Sequence, residues 1–108
     1  MEVLRPVQRG ERIADIESEA ALHTFQTGNE VALVRLESGG GYRGRALVTG
    51  GPGGIDPMPG VIRIFGHTHP PTAAGGFPSP TDVTALEALG QRSSHIRYRG
   101  QRYRFSRE

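Results

Sequence analysis

Val61 to His69 (VIRIFGHTH) is the strongest strand signal in the chain, because β-branched and aromatic residues dominate it. Pro70-Pro71 and the Gly/Pro-rich stretch up to Pro78 end that strand. Ser79-Pro80 then reopens the chain as a helix: Ser79 suits the N-cap, Pro80 the first helical position and Gly90 the stop. This strand–loop–helix order decides where chemistry can sit. His67 and His69 are two apart on a strand, so both rings project from one face at its C-terminal end. Asp82 falls in the first turn of the returning helix.

The remaining elements arrange themselves around this unit. Ile13, Ile16, Ala20 and His23 recur at helical spacing, and Leu22 and Phe25 widen the stripe. Asp15, Glu17 and Glu19 favour the N-terminal half of that helix, and Gly28 is its stop. Glu30 to Leu36 reads as a strand, Ser38 to Gly41 as its turn, and Tyr42 to Thr49 as the hairpin partner. Gly50 to Gly60 reads as a loop, and it is no phosphate loop because no Gly-Lys-Ser/Thr follows its glycines. The segment SHIRYRGQRYRFS reads as a hairpin turning at Gly100-Gln101. Helix, hairpin, strand, helix, hairpin predicts one α+β domain over residues 1–108 with a mixed or antiparallel sheet.

Composition narrows the chemistry. The 108 residues contain no cysteine, which excludes a disulfide framework, a thiolate zinc finger, an iron–sulfur cluster and a cysteine nucleophile. A metal held by this chain would therefore have only histidine and carboxylate ligands. No apolar run is long enough to span a membrane, and the N-terminus lacks the apolar core of a secretory signal. All thirteen basic residues are arginine. They concentrate late: residues 1–37 hold seven acids against four arginines, and residues 38–108 hold four against nine. Arg92, Arg97, Arg99, Arg102, Arg104 and Arg107 face only Glu108 near the C-terminus, which reads either as a solvated strand face or as a site for an acidic partner.

Two imidazoles leave a zinc ion short of ligands, and Asp82 can supply a third from the helix start, with the fourth position left to water. Such a site also needs a base, and Glu30, which starts a strand immediately after a helix, is the best candidate; its place beside His67 comes from the resemblance described next. Ser79 with an acid three residues later is also the pattern of a helix cap. The two roles are expected to exclude each other, since an Asp82 carboxylate turned to a metal would not reach back to the Ser79 amide. His23 reads as a core or boundary residue, and His95 as solvated.

The run His67-Thr68-His69-Pro70 followed by Pro78-Ser79-Pro80-Thr81-Asp82, with Glu30 upstream, resembles the JAMM/MPN (JAB) metallopeptidase motif. The resemblance covers Glu30 to about Gly90 and is nearest to the compact JAB domains of bacterial polymorphic toxins and RadC-like proteins. The loop before Asp82 is slightly longer than that motif usually carries. The resemblance implies a cytidine-deaminase-like, MPN-type mixed sheet flanked by two helices. It further implies Zn2+ held by His67, His69 and Asp82, Glu30 as the general base, and Ser79 as a donor to the substrate oxyanion. The expected activity is peptide or isopeptide hydrolysis, with a peptide or protein substrate and a cognate immunity protein as partners. The module would be one part of a longer polypeptide, acting in a cytoplasm, its own or that of a target cell. Two other readings remain open: a metal-dependent nuclease that uses the arginine-rich C-terminus on nucleic acid, and a non-catalytic MPN-like binding module. A zinc nucleobase deaminase does not fit, because its Pro-Cys-x-x-Cys half cannot exist here.

Overall fold

The computed structural model describes residues 2–37, 43–50, 60–70 and 75–107. Six strands and two helices follow one another as β1 (Glu2–Pro6), α1 (Ile13–Thr27), β2 (Val31–Leu36), β3 (Gly44–Thr49), β4 (Val61–Thr68), α2 (Pro80–Leu89), β5 (Ser93–Tyr98) and β6 (Gln101–Ser106). The strands form one sheet in the order β1-β3-β2-β4-β5-β6. Every neighbouring pair is antiparallel except β4 and β5, which run parallel with α2 as their crossover. The α+β class and the mixed sheet with two helices are thus as expected.

The alternation of the strands gives the sheet two faces. Ala32, Val34, Leu36, Ala46, Val48, Val61 and Ile64 form one core with Ala85 of α2. Leu86 of α2 extends this layer over Ile96 and Phe105. On the opposite face, Ile16 and Ala20 of α1 pack on Val31 and Leu47. Each fully buried aliphatic side chain of this kind contributes about 1.5–3 kcal/mol. The α1 stripe is narrower than its apolar residues suggest. Its buried positions are Ile16, Ala20 and Thr24, one per turn. Leu22 and Phe25, expected to widen it, point outward at 56% and 73% exposure, since only the row of Ile16, Ala20 and Thr24 faces the sheet. His23 sits at the boundary, half-buried.

Other differences are local. Strand β1 was not expected; it is an edge strand that pairs only with β3 and places Pro6 at its end, where the missing N–H costs least. The last hairpin turns at Arg99-Gly100, one residue earlier than expected, since Tyr98 pairs directly with Gln101. Glu30 and His69 lie just outside the ends of β2 and β4. The expected turn at 38–41, most of the loop at 50–60, and the first half of the 70–78 loop fall outside the described residues.

Strand β4 is held on its β5 side in an unusual way. Its ladder to β5 covers only His67 with Ile96 and Thr68 with Arg97. Three residues before His67, the backbone of Ile64 is served by side chains instead. Gln91 accepts from the Ile64 N–H at 2.9 Å and donates to its carbonyl at 2.6 Å, while Ser94 Oγ donates to the same carbonyl at 2.9 Å. Gln91 and Ser94 are both buried. On the other side of β4, Thr68 Oγ1 accepts from the Val31 N–H at 2.9 Å and bonds the Thr24 hydroxyl, tying α1, β2 and β4 together next to the histidines.

Candidate metal centre

The C-terminal end of β4 and the N-terminal end of α2 meet on the α2 side of the sheet. His67 lies opposite Ala32, a residue of that core face, so its ring turns toward α2. His69 follows two residues later on the same side. Glu30 precedes β2 on the neighbouring strand path, and Asp82 enters from the first turn of α2. Ligands commonly sit beyond the carboxyl end of a parallel strand, where the chain turns away into its helix.

Glu30, His67, His69 and Asp82 are all buried, and each offers one ligand atom within 4.8 Å of the others. The tightest part is a triangle. His67 Nε2 and His69 Nε2 are 3.2 Å apart, His67 Nε2 is 3.1 Å from Asp82 Oδ1, and His69 Nε2 is 3.1 Å from Asp82 Oδ2. Ligand bonds of about 2.0–2.1 Å at tetrahedral angles put donor atoms roughly 3.3 Å apart, close to these edges. Glu30 Oε1 stands farther out, 3.6 Å from His67 Nε2 and 3.9 Å from His69 Nε2.

Three observations fit a positive charge at its centre. First, the Gly75 carbonyl lies 3.1 Å from His69 Nδ1, so Nδ1–H donates there and Nε2 keeps its lone pair facing inward. Second, Glu30 Oε1 and Asp82 Oδ1 are buried with no hydrogen-bond partner. A buried oxygen of that kind costs about 1–3 kcal/mol, more when charged, unless a proton or cation meets it. Third, the titration of the groups is pulled in opposite directions. Burial raises the Glu30 carboxyl to about 7, with Asp82 adding to the rise and His69 opposing it. Burial alone would also raise Asp82, but the two imidazoles and the Ser79 N–H outweigh it and hold Asp82 far below the usual carboxylate range. Burial opposes protonation of His69, yet Asp82, the Gly75 carbonyl and Glu30 together raise its pKa. The residues therefore suit a divalent ion with nitrogen and oxygen ligands, and they are close enough to bind one.

Asp82 caps the helix and still faces both histidines, so the two positions expected to conflict are compatible. Its Oδ2 accepts the Ser79 N–H at 2.8 Å, and Ser79 Oγ accepts the Asp82 N–H at 3.2 Å, a complete capping box. Its Oδ1 stays unbonded and faces His67. One carboxylate has two oxygens: Oδ2 serves the cap and also faces His69, while Oδ1 is left to His67. The longer loop before Asp82 does not displace it. Ser79 is placed at the cap, beside the cluster rather than in it; its Oγ spends one acceptor position on Asp82 and keeps its O–H.

Several supporting residues escaped sequence reasoning. The described part of the 70–79 loop crosses Tyr103 at Gly76, where a Cβ would fall 2.3 Å from the ring. Only glycine permits that approach, and the adjacent Gly75 is the residue that orients His69. Gly66 is similarly pressed, with the His95 carbonyl 3.3 Å from where its Cβ would stand. Phe105 meets His67 edge to face at 6.0 Å. The Gly/Pro excess of the 70–78 loop was the visible signal for such close packing, but it does not say which glycine carries it.

The arginine-rich C-terminus contributes nothing to the cluster. Arg97 pairs with Arg102 and His95 with Arg104 across β5 and β6, on the α1 side of the sheet. Among the described residues no helix is long and apolar enough to cross a membrane. No protein-family model, no curated protein and no solved structure matches this chain.

Proposed function

We propose that this protein is a zinc-dependent hydrolase of the JAMM/MPN kind, acting on a peptide or isopeptide bond. The observation that supports it most is the buried convergence of His67, His69 and Asp82 with the outlying carboxylate of Glu30. Under this reading His67 Nε2, His69 Nε2 and Asp82 Oδ1 hold the metal. When bound, zinc supplies Lewis acidity, lowering the pKa of water and polarising a carbonyl.

The chain's own residues do the rest. Glu30 stands outside the ligand triangle and, freed of competing donors, accepts a proton at Oε1 and returns it to the leaving group. In the metal-free protein, burial raises its carboxyl above the usual range, the direction that strengthens it as a proton acceptor. The Ser79 O–H, fixed by its helix cap, donates to developing negative charge on the substrate oxygen. Gly75 keeps the His69 ring in its ligating tautomer. The hydrolase fold family, the toxin setting and the immunity partner rest on the motif of Glu30, His67, His69, Ser79 and Asp82 alone.

The deciding experiment compares wild type with Glu30→Gln on peptide- and isopeptide-linked fluorogenic substrates. Turnover is expected to fall by about 10²–10⁴-fold while the metal content stays the same. Unchanged turnover would remove Glu30 from the reaction. Wild-type protein that holds metal but cleaves neither substrate would favour the binding-module reading.

A further inference from the structure

We infer that the opposite face of the sheet carries a second site, a binding groove for a nucleoside phosphate. Helix α1 covers only part of that face, through Ile16, Ala20 and Thr24. Beside it lies a cavity of about 370 Å3, in the size range of small-ligand pockets. Its floor is apolar, with Ile16, Leu33, Leu47, Phe65 and the bare backbone of Gly66. Its rim is cationic, with Arg45, Arg63, Arg97 and Arg102, and His95 beside them.

The charge is nearly one-sided. Glu17 is the single carboxylate lining the groove, against four arginines. It pairs with Arg97 at 2.8 Å and also with Arg102, which holds both guanidinium groups at the rim. Arg63 and Arg35 instead stack near the Phe65 ring, at 5.4 and 6.0 Å. Guanidinium forks match phosphate oxygens two at a time, and their charge is permanent. An apolar recess behind such a rim suits a ligand with a flat organic part and an anionic end. An acidic protein surface would use the rim but leave the recess empty, so the shape favours the nucleotide. Asp82 and Glu30 do not line the groove, although His67 does from its side of β4, and the inference does not depend on the hydrolase reading.

The test is calorimetric titration of the full chain with ADP, an eight-nucleotide single strand, inorganic phosphate and an oligo-glutamate peptide. ADP or the single strand is expected to bind more tightly than inorganic phosphate, and the tighter of the two shows whether the nucleotide is taken free or within a chain. Arg45→Ala and Arg63→Ala are each expected to weaken binding about tenfold. Glu17→Gln is expected to strengthen it, since it removes the competing carboxylate; a merely structural role for Glu17 predicts the reverse. Asp82→Asn, on the other face, is expected to leave affinity unchanged. Loss of ADP binding in Asp82→Asn would place the ligand at the metal cluster and overturn the inference. So would binding that ignores Arg45 and Arg63, absence of binding by both ADP and the single strand at millimolar nucleotide, or a preference for the glutamate peptide.

Discussion

Replacing Gln91 by leucine keeps the volume of that side chain about constant and deletes what it does for β4. Gln91 is 8% exposed and makes three hydrogen bonds: from the Ile64 N–H at 2.9 Å, to the Ile64 carbonyl at 2.6 Å, and to the Ser93 carbonyl at 2.7 Å. The losses are unequal. The Ile64 carbonyl keeps Ser94 Oγ, so it loses one of two partners. The Ile64 N–H loses its side-chain partner in a buried setting, at about 1–3 kcal/mol. The two donated bonds add roughly 1 kcal/mol each. The total is about 3–5 kcal/mol, a large share of the roughly 5–15 kcal/mol that holds a domain of this size. The midpoint of thermal unfolding should fall by about 12–25 °C, read by circular dichroism on metal-free protein, with urea titration giving the free energy directly. A loss under about 1 kcal/mol would refute the idea that Gln91 substitutes for a strand neighbour.

Metal-free protein should be most stable near pH 4 and weaken from about pH 4.5 upward, most of the Glu30 share being lost by pH 7. Glu30 and His69 have raised pKa values, so their contributions are complete in acid and fade as the pH climbs through those values; Asp82 is depressed, so its contribution is present above 3.8 and lost in strong acid. Added zinc should reverse the trend, its stabilising effect growing from pH 5.5 to 7.5 as the ligands give up protons; a pH-independent midpoint in metal-free protein would contradict this. Glu30→Gln removes a buried ionisable group and should raise the unfolding midpoint of metal-free protein at pH 8 even as it abolishes turnover; a drop would mean that Glu30 is held by partners. Gly76→Ala should weaken metal binding by about tenfold or more, because the added Cβ meets the Tyr103 ring and shifts the loop that orients His69; combining it with Tyr103→Ala should restore much of the affinity.

Features set by neighbouring residues were legible in the sequence. The Ser79-Pro80 start and the Gly90 and Gly28 stops depend on backbone groups within one helical turn, and the structure places them as read. The His-x-His pair and Asp82 were legible for a similar reason, since strand alternation and a helix start decide where each side chain points. Contacts between distant segments were not. Strand β1 exists because Glu2–Pro6 finds β3, more than forty residues away, and nothing in EVLRP announces that partner. Leu22 and Phe25 continue an apolar stripe on paper, but the helix buries only one row, Ile16, Ala20 and Thr24, against the sheet. Gln91 and Ser94 look like ordinary polar residues after a helix, and their service to Ile64 appears only once β5 lies beside β4. The double use of Asp82 was misjudged because spacing treats a carboxylate as one point, whereas its two oxygens face different neighbours.

If His67, His69 and Asp82 hold a metal ion with Glu30 standing beside it, the metal content of the protein reveals it. Protein purified without chelator, analysed by plasma mass spectrometry beside His67→Ala and Asp82→Asn, should carry about one zinc per chain, and either substitution should remove it. Folded wild-type protein that holds no metal, and takes none up when zinc is supplied at neutral pH, would contradict the account.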